Sequence, residues 1–317
     1  MHFPFKLAAE KEFDAVGFGL NAVDHLVVVP AYPSFDTKTR LVEHVQAAGG
    51  QTATAMVCLQ RLGMRTAYAG RFGSDSEGQF GLATVRDEGV DISFAEVVEG
   101  ARTQIAFIII DEPSGERTVI WDRDERLAYS EREAPLEMAA RGRVLHLDAH
   151  DPLACARMAS AARASSTVVS VDVDNIYEGL PELLPLVDIL ISSKEFPHRL
   201  TGIRDHRASL VELKARYGCT ITGMTLGTGG ALLFYDGVFL ESPAMQVPGV
   251  CRDTTGAGDA FHAGFLYGLL RGEEIETSLK LANATASLKC RALGARTSLP
   301  SETELFKFIE DGVLISN

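Results

Sequence analysis

The residues with the most chemistry in them lie near the C-terminus. Residues 253–265 read Asp-Thr-Thr-Gly-Ala-Gly-Asp-Ala-Phe-His-Ala-Gly-Phe. The small-residue turn Gly256-Ala257-Gly258 runs directly into an apolar stretch at helical spacing: Phe261, Phe265, Leu266, Leu269 and Leu270. A helix starting on such a turn points unpaired backbone N–H groups outward, which makes an anion site. Asp259 falls in the first turn of that helix. A carboxylate beside an anion cradle opposes simple anion binding, because like charges repel. It suits a base that takes a proton from a hydroxyl about to attack a phosphoryl group. The Gly256, Ala257 and Gly258 amides would then stabilise the charge building on the transferred group. Acids in first turns also merely complement the helix dipole; the glycines and tandem threonines favour catalysis.

Residues 253–264 resemble the C-terminal signature of ribokinase-type (PfkB-family) carbohydrate kinases. Gly49-Gly50-Gln51-Thr52-Ala53-Thr54-Ala55, followed by Leu62-Gly63, resembles that family's glycine-pair motif. Gly70-Arg71-Phe72-Gly73-Ser74-Asp75-Ser76-Glu77-Gly78 resembles the segment after it. The pattern covers nearly the whole chain in the right order. The resemblance implies a ribokinase-like three-layer α/β sandwich with a mainly parallel central sheet and a small β-sheet lid. It implies ATP-dependent phosphorylation of a hydroxyl of a sugar or sugar derivative, Asp259 being the general base and the glycine turn the anion hole. No Gly-x-x-x-x-Gly-Lys-[Ser/Thr] sequence and no protein-kinase signature is present.

On the nucleotide side, Thr225-Leu226-Gly227-Thr228-Gly229-Gly230 joins two strand-like runs, as any β-turn would. The resemblance makes Thr225, Gly227 and Gly230 nucleotide-binding and puts Asn283 beside the adenine. In Ser192-Ser193-Lys194-Glu195 the relatives usually carry Asn-x-x-Glu, so Ser192 replaces an Asn while Glu195 keeps its part in organising Mg2+ through water. With no His or Cys ligand cluster, Mg2+ would be held chiefly by nucleotide phosphates and waters. A monovalent cation, K+, is implied at the Asp253 carboxylate and the Thr255 carbonyl, with Lys289, Ala292, Gly294 and Ser298 on a later segment. Asp253 capping the turn is the competing reading.

On the acceptor side, the resemblance assigns sugar binding to Asp24, which follows the first strand, and to the amides of Gly49 and Gly50. Thr54 stands where relatives often have an Asn that contacts hydroxyls. The Ala-Thr-Ala run there resembles the subgroup that phosphorylates sulfofructose, so an anionic sugar or a sugar phosphate is an alternative acceptor. Asp148 stands at a strand end, where a carboxylate faces the site in some relatives. Arg102, Arg123 and His150 could read an acceptor's charge, but read individually as solvated surface groups. A nucleoside kinase is a further alternative on the same fold. A non-catalytic sugar or nucleotide sensor would have no need of Asp259.

These groups must be positioned by the alternation of strand-like and helical runs along the chain. Strand–helix pairs fall at 14–20 with 51–62, 65–70 with 77–88, 143–147 with 152–163, and 167–171 with 180–186. A further strand at 188–191 precedes helices at 195–200 and 208–217. This alternation predicts a mainly parallel sheet covered on both faces, with ligands outside the carboxyl ends of its strands. Residues 26–46 and 103–121 break it, the second with a hairpin turn at 111–116. Read with the resemblance, the chain is a single domain over 1–317, with a lid at about 21–48 and 101–122 through which two copies would pair.

The 317 residues, 46% hydrophobic and 23% charged, suffice for one large α/β domain. A net charge of −13 argues against nonspecific binding to nucleic acid or an anionic membrane. The five cysteines are scattered without a Cys-x-x-Cys pair and read as buried hydrophobes in a reducing cytoplasm.

Overall fold

The computed structural model describes residues 1–311. Its strands are β1 (Phe13–Phe18), β2 (Ala22–Val29), β3 (Glu43–Gly49), β4 (Thr66–Ala69), β5 (Arg71–Gly73), β6 (Glu96–Val98) and β7 (Ile105–Asp111). They continue with β8 (Arg117–Asp122), β9 (Gly142–Leu147), β10 (Val168–Val173), β11 (Ile189–Ser192), β12 (Ile221–Thr225), β13 (Ala231–Tyr235) and β14 (Val238–Ser242).

The main sheet has the order β14-β13-β12-β11-β10-β9-β1-β4. It is parallel from β4 to β12 and antiparallel at the β12–β13–β14 edge. Alternating side chains feed two cores, one on each face: Val144, Ile189 and Ile191 pack into one, and Leu145, Leu147 and Leu190 into the other. This is the expected layered α/β fold. The helix Ala257–Arg271 is buried from Asp259 to Leu270, apolar all round because it runs between neighbouring elements and not along the surface. Large side chains such as Phe265 and Tyr267 anchor it, each stabilising the fold by roughly 1.5–3 kcal/mol through burial.

The two segments that break the alternation form a separate four-stranded sheet in the order β3-β2-β7-β8. It is mixed, because β2 runs antiparallel to β3 but parallel to β7. The strand-like run expected over 26–46 is broken between β2 and β3, where Pro30 and Pro33 lack the N–H groups a ladder needs. The inner face of this small sheet buries Leu26, Val28, Ala106, Ile108 and Ile110 against Leu293. The register puts Ala47, Asp24, Ala106 and Trp121 in one row across that face, with Val119 and Arg117 on the same side farther along β8. The opposite face carries His25, stacked between His44 and Phe107. Four of the cysteines are buried as expected; Cys251 is exposed. Among the described residues no helix is long and apolar enough to cross a membrane.

Candidate active site

Asp259 lies in the first turn of the helix Ala257–Arg271, which starts from Gly256 at φ 79°. That left-handed conformation favours glycine, and a Cβ on Gly256 would also come within 2.8 Å of the Ala295 Cα. Of the turn's amides, Ala257 differs from expectation: its N–H donates to the Thr254 carbonyl at 3.1 Å. The bend that frees the helix start is itself closed by this bond. Gly256, Gly258 and Asp259 have no backbone acceptor among the described residues, and a Cβ on Gly258 would meet only open space. The free N–H groups therefore face outward beside a carboxylate. Burial pushes the Asp259 carboxyl well above the ordinary range; Asp172 and Asp24 add to the effect, and Arg117 and Arg296 oppose it. A carboxylate so destabilised in its charged form is a strong proton acceptor.

Asp24 faces the same space from β2. Burial pushes it up to about 7, against the pull of Arg296. Its carboxylate lies across Gly49, where a Cβ would fall 2.1 Å from Oδ2; this close approach is why the position must be bare. Gly50 caps the helix Gln51–Arg61. Thr54 is fully buried, and its hydroxyl accepts from Arg296 Nε at 3.2 Å. It is thus a support for a buried guanidinium and not the open acceptor contact expected. Asp148 is also drawn inward. Its Oδ2 accepts from the Leu20 N–H at 2.5 Å and the Thr52 hydroxyl at 2.9 Å, and its Oδ1 from the His150 N–H at 3.3 Å. Burial would raise its pKa, but His150 and these donors hold it at about 2. Its oxygens are committed to joining the ends of β1 and β9, which is a positioning part and not the expected open face. Arg123 and His150 are not surface groups either: Arg123 pairs with Asp151 at 2.8 Å, and His150 Nε2 meets the Tyr177 hydroxyl at 2.9 Å. Arg102 is exposed and pairs with Asp122 at 3.2 Å.

The loop before the glycine turn is held by Asp253, which is fully buried. Its Oδ1 accepts from the Thr255 N–H and its Oδ2 from the Gly294 N–H, each at 2.8 Å. Its backbone carbonyl accepts from Lys289 Nζ at 2.8 Å. The Ser298 hydroxyl donates to the Lys289 carbonyl. The Thr255 hydroxyl is buried without a partner among the described residues.

Across the carboxyl edge of the sheet, Thr225 ends β12, and a 3-10 turn over Gly227–Gly229 returns the chain into β13. The Leu226 N–H closes it on the Gly230 carbonyl at 2.7 Å. Asn283 donates from Nδ2 to the Ser242 hydroxyl at 2.9 Å and the Pro243 carbonyl at 3.1 Å, so its amide nitrogen ties a helix to the end of β14. The Ser192 hydroxyl is buried on the Ser193 carbonyl at 3.2 Å. Glu195 is exposed just before the helix Phe196–Thr201. Among the described residues no group of three or more His, Cys, Asp or Glu is placed to hold a metal ion.

Arg117 and Arg296 escape the sequence reading, and Lys289 enters it only on the segment of a monovalent-cation site, not for its ammonium. Arg117 on β8 donates to the Thr254 hydroxyl, Arg296 donates to the Gly49 carbonyl, and the Lys289 side chain turns inward to Asp253. These contacts join residues 137, 247 and 36 positions apart. No local spacing signals them.

The fold is shared with known proteins. The profile of the "pfkB family carbohydrate kinase" matches residues 18–302. A nucleoside kinase of Methanothermobacter thermautotrophicus is 25% identical over 299 residues, covering 93% of this chain and 94% of that one. A crystal structure of a candidate ribokinase from Agrobacterium tumefaciens superposes with TM-score 0.86 at 29% identity, covering 94% of this chain and 97% of the other. Arabidopsis thaliana ribokinase, solved with ribose and ATP, shares the fold with TM-score 0.79 at 24% identity, covering 94% and 99%. Since the match runs from the end of β1 to the last described helix and takes in both glycine motifs and Asp259, the chain belongs to the pfkB family of carbohydrate kinases.

Proposed function

We propose that this ATP-dependent kinase transfers a phosphoryl group to a hydroxyl of a sugar or sugar derivative, with Asp259 as general base. The observation that carries the reading is a buried carboxyl of raised proton affinity beside outward-facing amides at a helix start. Asp24, with the Gly49 and Gly50 backbone, orients the acceptor hydroxyls. Asp259 takes the proton of the attacking hydroxyl, and the Gly256, Gly258 and Asp259 amides receive the developing negative charge. Thr225, Gly227 and Gly230 line the nucleotide side, with Asn283 supporting it. Mg2+, when bound on the nucleotide, neutralises phosphate charge; phosphates, waters and the exposed Glu195 suit it, as expected of a hard cation. The small sheet acts as a lid that excludes water.

The test is ADP formation from Mg-ATP over sugars, sugar phosphates, a sulfosugar and nucleosides, with Asp259→Asn alongside. One strong acceptor, silent in the variant, is expected. Silence over the whole panel despite bound ATP would shift weight to an acceptor outside it or to a sensor. An anionic acceptor is the second reading, favoured by Arg117, which the register places on the lid's inner face and which touches the glycine-turn loop at Thr254.

Trp121 is the sole tryptophan and is 57% exposed in the row that contains Asp24. Lid closure on an acceptor should blue-shift and alter its fluorescence, because the indole leaves water. A saturating acceptor that leaves the emission unchanged would remove Trp121 from the closing surface.

The same proposal includes pairing of two copies through the lid's outer face, where Phe107 and Ile120 are 47% and 55% exposed and directly opposite one another. Phe107→Asp with Ile120→Asp should convert a dimer to a monomer in light scattering; a wild type already monomeric at assay concentration would end this part of the proposal.

A further inference from the structure

A monovalent cation bound behind the glycine turn would need several oxygens with free lone pairs, converging around one position. The resemblance offers the Asp253 carboxylate and nearby carbonyls, but in this chain both Asp253 carboxylate oxygens and the Lys289 carbonyl already accept hydrogen bonds. Both Asp253 carboxylate oxygens accept backbone N–H groups, from Thr255 and Gly294, at 2.8 Å. The Lys289 carbonyl accepts the Ser298 hydroxyl. The Lys289 ammonium itself lies 2.8 Å from the Asp253 carbonyl and 3.6 Å from its Oδ2. Lys289 and Asp253 are both 0% exposed. A lysine is almost never so deeply buried without a partner that compensates its lost hydration. A potassium ion brought to Asp253 would face this fixed positive charge at contact distance. The residues do not fit the cation.

We propose that Lys289 is a built-in replacement for the monovalent cation. Its ammonium holds Asp253, Asp253 holds the Thr255 and Gly294 amides, and this clamp fixes the loop that leads into Gly256. The activity is therefore independent of potassium. Lys289 is a positioning residue; it acts on the turn through Asp253 and touches no substrate. The catalytic consequence rests on the proposed role of the glycine turn, whereas the occupancy of the cation position does not.

The experiment compares wild type with Lys289→Met and Lys289→Ala in tetramethylammonium, potassium and ammonium chloride at equal ionic strength. It reads melting temperature and ADP formation. Wild type should show the same melting temperature and a rate within about twofold in all three salts. The variants should lose about tenfold or more in rate in tetramethylammonium, about 1.4 kcal/mol of transition-state stabilisation. They should regain both rate and melting temperature with potassium or ammonium, which fit the vacated position. A merely structural lysine would give variants that no cation rescues, and that result would overturn the proposal. So would a wild type that potassium activates or stabilises severalfold more than tetramethylammonium, a comparison that stands even if neither variant folds. The melting measurements need no acceptor, so failure to find turnover would count against the kinase reading and leave this one decided.

Discussion

Asp259→Asn should lower turnover by about 10²–10⁴-fold, the range a positioned general base contributes, while ATP binding stays within about twofold. The asparagine keeps the size of the side chain and the open amides around it, and removes only the proton acceptor. Because the base must be ionised to act, the wild-type rate should fall as pH drops through the folded-state pKa of Asp259, which burial places well above the ordinary 3.8. Stability should move the opposite way. A carboxyl whose pKa is raised on folding contributes most below its unfolded pKa, and that contribution is lost as pH rises through the folded value. Asparagine imitates the protonated form at every pH, so the variant should match wild type near pH 4 and be the more stable protein in alkaline buffer. Stopped ADP formation together with higher alkaline stability identifies a functional carboxylate held at the expense of the fold. Full turnover in the variant would remove Asp259 as base, and equal alkaline stability would contradict its raised pKa.

The parts of this site legible in the sequence are those whose geometry is local. The glycine turn and Asp259 lie within four residues, so composition and helical spacing alone place a carboxylate at a helix start. The small sheet is legible only in part, since strand-like runs without intervening helices could equally extend the edge of the main sheet, and it is the family resemblance that sets them apart. The structure adds what depends on distant packing. Asp148 carries the same side chain as Asp24, yet one is bonded on both oxygens and the other opens to the site; only the positions of Leu20, Thr52 and His150 decide which. Ala257 reads as part of the cradle until the bend itself is seen to use its N–H. Lys289 reads only as part of the segment that would hold a monovalent cation, until its ammonium is found under the Asp253 loop. Arg296 is the extreme case, an arginine in an irregular segment that is only 6% exposed.

Arg296→Met should be the most damaging change outside the glycine turn. The guanidinium donates to Thr54 at 3.2 Å, to Thr84 at 3.3 Å and to the Gly49 carbonyl, so one side chain joins the glycine pair, the helix behind it and the helix Ser76–Asp87. Burial lowers its own pKa to about 10, and Tyr68, Asp24 and Asp259 pull the other way. Removing one member of a buried charge cluster leaves the others uncompensated and typically costs about 3–5 kcal/mol. Methionine fills much of the volume, so the loss in urea unfolding would report charge and hydrogen bonds and not a cavity. The effect on activity has a separate signature. Arg296 opposes the upward shifts of both Asp24 and Asp259, and without it those carboxyls hold their protons to higher pH. The acid limb of the pH–rate profile should therefore move to higher pH in Arg296→Met. Arg296→Lys keeps the charge but cannot reproduce the planar fork. It should restore the pH profile while remaining destabilised, a separation that a purely structural arginine would not give. A Met variant with wild-type stability and an unmoved acid limb would show that the carboxylates of this site are balanced by some other group, with Arg117 on the small sheet the next to test.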